Sequence, residues 1–312
     1  MRGAAGKSAV VSGMPRVIAT VAELQRLADA ERAARGRIAL VPTMGALHAG
    51  HLALVHAAHG RADRVWVSIF VNPTQFGPSE DFSHYPRPFA QDLALCGAAG
   101  VDLVFAPSVE EMYPPGGQTA VEVTELAKPL CGASRPGHFR GVAMVVTKLL
   151  LAAKPHVAVF GEKDFQQLAL VRRLVRDLLL DVEIVGVPTA RDRDGLALSS
   201  RNALLAPEVR GDALALVHAL DAAEAALASG EDWAEELLRI ARHEVRKSRS
   251  AELDYVELRD PETLEAAPAR LRAPTLLALA VRFPTIAGGR HARVRLIDNR
   301  VLHPKPGVEE RP

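Results

Sequence analysis

Two histidines three residues apart, His48 and His51, are the residues whose type and spacing most strongly suggest chemistry. They lie in residues 42–51, between a predicted strand and the helix after it. At the carboxyl end of a parallel strand, a helix N-terminus offers free N–H groups to an anion. Imidazole donors there could stabilise charge developing on an α-phosphate and a departing pyrophosphate. Gly45 and Gly50 would let the backbone approach such a ligand, so this turn is a candidate phosphate site.

Two other interpretations of the histidine pair stay open on spacing alone. One histidine could cap the helix while the other is merely exposed. A metal site is the weaker alternative, because no third ligand is spaced nearby and zinc-binding pairs on helices favour a separation of four residues.

A second polar segment, residues 161–167, follows another predicted strand. Lys163 is a mobile cation able to reach phosphate, and Asp164 could accept from a ribose hydroxyl or contact a magnesium shell. Gln167 offers both donors and acceptors one turn later. The alternative is an aspartate that caps a helix among solvated charges.

Two further segments carry groups suited to small ligands. The hydroxyls of Ser199 and Ser200 and the guanidinium of Arg201 suit a triphosphate, although serine-rich turns are common. Asn72 and Gln75 follow the second predicted strand and could bind a polar substrate without bringing charge; a structural Asn-Pro turn is the alternative. Three of the four segments follow predicted parallel strands, so we expect one shared cleft.

The elements that must position these residues alternate through the first 190 residues. Short Val- and Ile-rich runs predict strands, and longer amphipathic runs predict helices. The predicted strands are residues 37–42, 65–71, 101–106, 156–160 and 182–188, and the predicted helices are 51–58, 89–99, 138–153 and 164–180. This order is typical of an α/β fold: a Rossmann-like, doubly wound parallel sheet covered on both faces.

The composition changes after about residue 190. Ala-, Leu- and Glu-rich runs predict helices at residues 207–227 and 232–247, followed by strands at 253–258, 276–281 and 293–297. We therefore predict a disordered extension over residues 1–15, a Rossmann-like domain over 16–189, and a smaller α+β C-terminal domain over 190–312.

Bulk composition excludes several classes of protein. The 38 Lys and Arg nearly balance 37 Asp and Glu, so the net charge of +1 creates no field that selects nucleic acid or an anionic membrane. No stretch of membrane-spanning length is uninterrupted by charge. Cys96 and Cys131 are too few for a disulfide framework, which suits a reducing compartment and a cytoplasmic location. Residues 3–8 (GAAGKS) lack the glycine spacing and leading strand of a P-loop.

The combination of motifs resembles the pantothenate synthetase family. The segments PTMGALHAGH, FVNPTQFGPSEDFSHYPR, RPGHFRGVAMVVTKL, FGEKDFQQL, VEIVGVPTARDRDGLALSSRN and LDYVELRD occur in the order that family shows, over residues 17–299. The HAGH element is similar to the H-x-G-H signature of the nucleotidylyltransferase superfamily. The resemblance implies an AMP-forming ligase that condenses (R)-pantoate with β-alanine through a pantoyl adenylate, using ATP and Mg²⁺, and that forms a homodimer. It also implies that the domain over residues 16–189 binds ATP and pantoate and that the domain over 190–312 acts as a lid.

The resemblance also implies roles for residues of this sequence. His48, His51, Lys163 and Arg201 would be catalytic, with the histidines acting as electrostatic stabilisers rather than proton donors, because pyrophosphate leaves as a stabilised anion. The ATP site would comprise Met44, Gly45, Ala46, Leu47, His48, Ala49, Gly50, His51, Gly161, Glu162, Lys163, Asp164, Ala190, Leu198, Ser199, Ser200 and Arg201. No protein residue is expected to be a metal ligand, since ATP would carry the magnesium.

The same resemblance implies the acceptor sites. Gln75 and Gln167 would bind pantoate, because a neutral amide orients the carboxylate without locking it into an ion pair. Asn72 and Gln75 would border β-alanine. Three positions depart from the family pattern: Ala49 where Glu is usual, Ala190 where Val is common, and Leu198 where Met is usual. Residues 284–292 look like an insertion in a C-terminal hairpin.

Two rival functions stay open on the sequence. Another adenylyltransferase of the same superfamily would need a basic acceptor pocket, whereas Gln75 and Gln167 are neutral. A protein that senses ATP without turnover would not need the charged groups that the reaction requires.

Overall fold

A computed structural model of the chain describes residues 13–77, 81–286 and 292–305, which form two separate β-sheets flanked by helices. The strands are β1 (Arg16–Ile18), β2 (Ile38–Thr43), β3 (Arg64–Ile69), β4 (Leu103–Phe105), β5 (Val157–Gly161), β6 (Glu183–Val187), β7 (Glu252–Arg259), β8 (Thr275–Pro284) and β9 (Arg293–Leu302). The α-helices are α1 (Val21–Ala33), α2 (Ala49–His59), α3 (Phe89–Ala98), α4 (Val109–Met112), α5 (Cys131–Ser134), α6 (His138–Ala153), α7 (Phe165–Asp177), α8 (Ala215–Ala228) and α9 (Ala234–Lys247).

The first six strands form one parallel sheet in the order β1-β4-β3-β2-β5-β6. The chain moves outward from β2 through β3 to β4 and then places β5 on the other side of β2. The strand order therefore reverses between β2 and β5, and open α/β sheets bind ligands at the carboxyl ends of strands at such a point. The predicted Rossmann-like sheet is confirmed.

Alternate side chains of the central strands pack on opposite faces of this sheet, as the two-residue period of a strand requires. Ile38 and Leu40 join the apolar core that contains α1, α6 and α7. Ala39 and Val41 point the other way, into the core formed with α2 and α3. Burial on both faces explains why the strands are continuous apolar runs rather than alternating ones.

The last three strands form an antiparallel sheet in the order β7-β8-β9. Leu277 and Leu279 of β8 pack in the core that includes α8 and α9. Leu276 and Ala278, on the opposite face, pack in a smaller cluster with α7. The predicted α+β region is confirmed as a structural unit, and the domain boundary near residue 190 stays a prediction.

Some predicted elements differ from the structure. The helix predicted over residues 207–227 begins only at Ala215, because two 3-10 turns, Pro207–Val209 and Asp212–Leu214, occupy its first part with Gly211 between them. Proline suits the first turn of either kind of helix, so it did not distinguish them. The prediction also lacked β1 and α1.

Other predicted features fall wholly or partly outside the described residues. Of the predicted extension over residues 1–15, residues 1–12 lie outside, and so do residues 287–291 of the predicted insertion. In the described part of the chain, no helix has both the length and the apolar character needed to cross a membrane.

Candidate active site

A cavity of about 220 Å³ opens at the carboxyl ends of β2, β3 and β5, where the strand order reverses. All four polar segments singled out from the sequence contribute to its wall. The predicted residues that line it are Met44, His48, Gly50, His51, Asn72, Gln75, Gly161, Lys163, Asp164, Gln167, Ala190, Leu198, Ser199, Ser200 and Arg201. The fold therefore brings segments more than 150 residues apart into one cleft.

Five residues of the predicted ATP site do not line this cavity: Gly45, Ala46, Leu47, Ala49 and Glu162. Gly45 and Ala46 have positive φ angles of 82° and 50° and turn the chain sharply after β2. The backbone N–H groups of Ala46 and Leu47 donate to the two carboxylate oxygens of Asp92, at 2.9 and 2.7 Å. These two N–H groups therefore have protein partners, and Asp92 of α3 holds the turn that leads to His48.

The side chains of His48 and His51 cap the N-terminus of α2. The Nδ1 atom of His48 accepts from the N–H of Gly50 at 3.1 Å, and the Nδ1 atom of His51 accepts from the N–H of His48 at 3.3 Å. The expectation of free N–H groups at this helix start was therefore wrong for these two groups. Because each Nδ1 accepts, each neutral ring carries its proton on Nε2.

Gly50 is required by the close approach of the His48 ring. A Cβ atom at this position would lie 2.8 Å from Cε1 and 2.9 Å from Nδ1 of His48, shorter than any ordinary contact. The two rings lie 4.2 Å apart between centroids, at 44° to each other. The glycine between the histidines thus allows His48 to fold back over the helix start.

Both histidines are neutral at pH 7. Burial lowers the pKa of His48 to about 4. The positive charge of Lys163 also lowers this pKa, whereas the negative charge of Asp164 raises it. Burial lowers the pKa of His51 to about 3, with further lowering from His48 and Lys163. The Nδ1 contacts and the pKa values agree, because protonating Nδ1 would remove an acceptor from a backbone N–H.

Charged groups face the histidines across the cleft. The Lys163 ammonium lies 3.9 Å from the Asp164 carboxylate. Desolvation by the surrounding cleft raises the pKa of Asp164, but the positive charges of Lys163, Arg201 and other nearby groups outweigh this effect, so the pKa falls below its ordinary value. The Arg201 guanidinium lies over the ring of Tyr85, 5.8 Å from its centroid. Ser200 and Arg201 begin the 3-10 turn Ser200–Leu204, and Ser199 caps it, with Ser199 Oγ accepting from the N–H of Arg201.

A family model described as Pantoate-beta-alanine ligase matches residues 16–301 of the chain. A pantothenate synthetase 1 of Bradyrhizobium diazoefficiens is 54% identical over 291 residues, covering 93% of this chain and 99% of that relative. A solved pantothenate synthetase of Thermus thermophilus aligns with a TM-score of 0.84 and 48% identity, covering 93% of this chain and all of that one (100%). The chain belongs to the pantoate-beta-alanine ligase family.

A further solved structure adds ligands to the comparison. The pantoate-beta-alanine ligase of Francisella tularensis, described as complexed with Beta-gamma ATP and Beta-alanine, aligns with a TM-score of 0.69 and 33% identity over 92% of this chain and 97% of that one. Family membership establishes the activity of the present chain as ATP-dependent ligation of pantoate and β-alanine. It removes the rival hypotheses of a different adenylyltransferase and of an ATP sensor.

Asn72 and Gln75, whose side-chain amides are predicted to border the substrates, differ in how strongly hydrogen bonds within the protein already engage them. Asn72 is 1% exposed, and its Nδ2 donates to Gln75 Oε1 and to the carbonyl of Gly141, both at 3.1 Å. Its Oδ1 accepts from the N–H and the hydroxyl of Thr74. Asn72 thus holds the loop after β3 in place. Gln75 Nε2 contacts Met44 Sδ at 3.0 Å, a weak bond that a substrate oxygen could replace.

Three residues that touch or shape the site were not assigned roles from the sequence: Asp92, Arg135 and His138. His138 Nδ1 donates to the carbonyl of Gln75 at 2.8 Å, and the Arg135 guanidinium donates to the same carbonyl at 3.2 Å. Both residues line the cavity. They lie in the segment RPGHFRG, whose only part in the prediction is its resemblance to the family. In the sequence, the charged side chains of this segment beside two glycines were the signal that could have identified it as part of the site.

A larger cavity of about 670 Å³ adjoins the first and extends between α7 and the antiparallel sheet. Lys163, Asp164, Gln167 and Arg201 line both cavities. The charged cleft is therefore continuous with a wider space on the side of the C-terminal strands.

Among the described residues, no group of three His, Cys, Asp or Glu side chains is arranged to hold a metal ion.

Proposed function

We propose that this cleft forms a pantoyl adenylate and that His48 and His51 stabilise the transition state as neutral Nε2–H donors. The observation that carries the proposal is the pair of Nδ1 atoms, each of which accepts a backbone N–H. A fixed neutral donor stabilises charge as it develops on phosphate oxygens. With pKa values of about 4 and 3, neither ring is charged at pH 7, so neither serves as the acid of the reaction.

In the first step, a pantoate carboxylate oxygen attacks the α-phosphorus of ATP, and the bond to pyrophosphate breaks. Lys163 and Arg201 would carry the positive charge that holds the phosphates, with Ser199 and Ser200 donating from the facing turn. Gln75 and Gln167 would orient pantoate. Met44, Gly161, Ala190 and Leu198 would contact the nucleotide, which is consistent with their places on the cavity wall.

The residues outside the cavity wall take a different part in the proposal. Gly45, Ala46, Leu47 and Ala49 would shape the turn that presents His48, and Glu162 would do the same for Lys163. Asp92 supports this division, because its carboxylate already occupies the N–H groups of Ala46 and Leu47.

Magnesium would enter with ATP rather than reside in the protein. Mg²⁺ usually keeps several waters and binds through one or two carboxylates plus substrate phosphates. Asp164 would contact the water shell of that ion, because its side chain is 52% exposed and its pKa is lowered, so it is ionised. When bound, the ion would neutralise charge on the departing pyrophosphate.

In the second step, the amine of β-alanine attacks the acyl carbon of the adenylate, and AMP leaves. The Francisella tularensis relative, described as complexed with both Beta-gamma ATP and Beta-alanine, supports binding of the two compounds by one protein of this family. Gln75 would border β-alanine, and Asn72 would act there through Gln75, since its own amide is engaged.

We also propose the domain division at residue 190, a homodimer and a cytoplasmic location. The separate sheets support the division, and the two free thiols, Cys96 and Cys131, fit a reducing compartment. Light scattering tests the dimer by requiring twice the mass of one chain.

The adenylate is tested by isotope exchange in the absence of β-alanine. If step one is reversible, labelled pyrophosphate enters ATP only when pantoate is present. Exchange that ignores pantoate, or that requires β-alanine, would overturn the two-step proposal. Recovery of AMP and pantothenate on adding β-alanine completes the test.

A further inference from the structure

Strand β9 of the C-terminal sheet contacts two separate segments of the ATP site through consecutive residues, Asp298 and Asn299. The Asn299 Nδ2 group donates to the carbonyl oxygens of Glu162 at 3.0 Å and of Lys163 at 2.8 Å. These carbonyls belong to the 3-10 turn that carries the Lys163 ammonium and the Asp164 carboxylate into the cleft. One amide therefore fixes the backbone of that turn from the opposite sheet.

Asp298 makes the corresponding connection to the other segment. Its side chain is 0% exposed and forms a two-point ion pair with the Arg191 guanidinium, at 2.6 and 2.9 Å. Arg191 also donates to the carbonyl of Gly195 at 3.0 Å. This closes a small hairpin in which the N–H of Leu198 donates to the carbonyl of Ala190 at 2.9 Å. The hairpin thus presents Ala190 and Leu198 to the nucleotide cavity.

The geometry of a strand explains why two neighbouring residues can reach both segments. Consecutive side chains point to opposite faces of a sheet. Asn299 faces the turn before α7, whereas Asp298 faces the hairpin. Arg300 returns to the face of Asp298 but pairs with Asp221 of α8 at 2.8 Å. Of these three consecutive residues, the first two therefore contact the ATP-site segments and the third contacts α8.

We infer that Asp298 and Asn299 are positioning residues for adenylation, which couple the C-terminal sheet to the two ATP-site segments. Neither residue needs to touch the reacting atoms. Asn299 sets the backbone that aims Lys163, and Asp298 sets the hairpin that holds the nucleotide. The inference rests on the proposed roles of those segments, and it assigns the C-terminal sheet a part in holding the catalytic groups as well as in covering the cleft.

Two isosteric variants, one alanine variant and one neighbouring control test this inference on the full chain. Asn299→Asp keeps the shape of the side chain but places an acceptor opposite two carbonyls, and Asn299→Ala removes the donors without adding charge. Asp298→Asn keeps the shape but leaves the partly buried Arg191 guanidinium without its charge partner. Arg300→Ala, the control, removes the ion pairs of the same strand with Asp221 and Glu224 of α8 and leaves the side chains of Asp298 and Asn299 in place.

Hydrogen–deuterium exchange measures whether Asp298 and Asn299 hold the two ATP-site segments in place, independently of catalysis. We expect faster exchange over residues 158–166 in the Asn299 variants and over residues 189–198 in Asp298→Asn, with neither change in Arg300→Ala. If both segments exchange as in the unaltered protein, or if all variants loosen the whole chain equally, the inference is wrong.

Steady-state kinetic measurements then test the effect of the same variants on catalysis. Because displacement of a reacting group by about 1 Å can reduce a rate about 100-fold, we expect pantoate-dependent pyrophosphate exchange to fall at least about tenfold in the Asn299 and Asp298 variants. The KM for ATP should rise, while the KM for pantoate should change by less than about threefold. Rates within about twofold of the unaltered protein would overturn the inference. If the unaltered protein itself shows no pantoate-dependent exchange, the adenylate proposal fails, and hydrogen exchange still decides the structural connection.

Discussion

The contact between Gly50 and His48 provides a prediction that separates catalysis from stability. In Gly50→Ala the added Cβ would lie 2.8 Å from His48 Cε1. To restore an ordinary separation of about 3.5 Å, the ring must retreat by roughly 0.7 Å. The retreat also strains the bond from the N–H of Gly50 to His48 Nδ1, which fixes the direction of Nε2–H.

The expected loss follows from that displacement. A misplaced donor of this kind should lower the rate of pantoate-dependent pyrophosphate exchange by about 10- to 100-fold. Stability should change little, because the preference of a helix for alanine over glycine, about 0.5–1 kcal/mol, offsets the weakened cap bond, which contributes about 1 kcal/mol. The expected signature is thus a slow enzyme whose midpoint of urea unfolding is maintained.

Gly60, at the other end of α2, supplies the matched control. A Cβ there would meet only the carbonyl of Ala57, at an ordinary 3.7 Å. Gly60→Ala should therefore retain the exchange rate of the unaltered protein. If Gly50→Ala reacts as fast as Gly60→Ala at saturating substrates, the placement of the His48 ring does not matter and our explanation of the glycine is wrong.

Three other predictions concern the same cleft. Because the pKa values of His48 and His51 are about 4 and 3, below the ordinary 6.5, the unfolded chain binds more protons between those limits and stability is lost as the pH falls from 6.5 toward 3. Urea unfolding of His51→Gln should show a weaker loss over that window; an equal loss would contradict the assigned pKa. Asp92→Asn should cost about 1–3 kcal/mol, because one of two buried N–H groups loses its acceptor, and it should also slow exchange, whereas unchanged kinetics would remove Asp92 as a support of the turn. Gln167→Ala should raise the KM for pantoate more than that for ATP, and an effect confined to ATP would show that the pantoate site is misassigned.

Much of the parallel sheet could be predicted because its strands are buried on both faces and read as continuous apolar runs. Helix α6, predicted over residues 138–153, has those bounds in the structure. Strand β1 could not be predicted in the same way, since its three residues form no recognisable run and are held by pairing with β4, almost 90 residues later.

The sequence predicted which segments form the site, but it did not predict the hydrogen bonds that fix the side chains and backbone within it. The histidine spacing indicated a phosphate site, but the partners of their Nδ1 atoms depend on how the rings fold back over Gly50. The engagement of the Ala46 and Leu47 N–H groups depends on Asp92, about 45 residues away in sequence. Local pattern carries no information about such a contact, which only the packing of α3 creates.

The most direct test of the central claim is nitrogen-15 NMR of the imidazole rings, with His48 and His51 assigned by single substitutions. We predict that both rings at pH 7 are neutral, carry the proton on Nε2, and resist protonation until the pH falls below about 5. An imidazolium signal, or a proton on Nδ1 of either residue at pH 7, would contradict the proposal that these histidines act as fixed neutral donors to the phosphates.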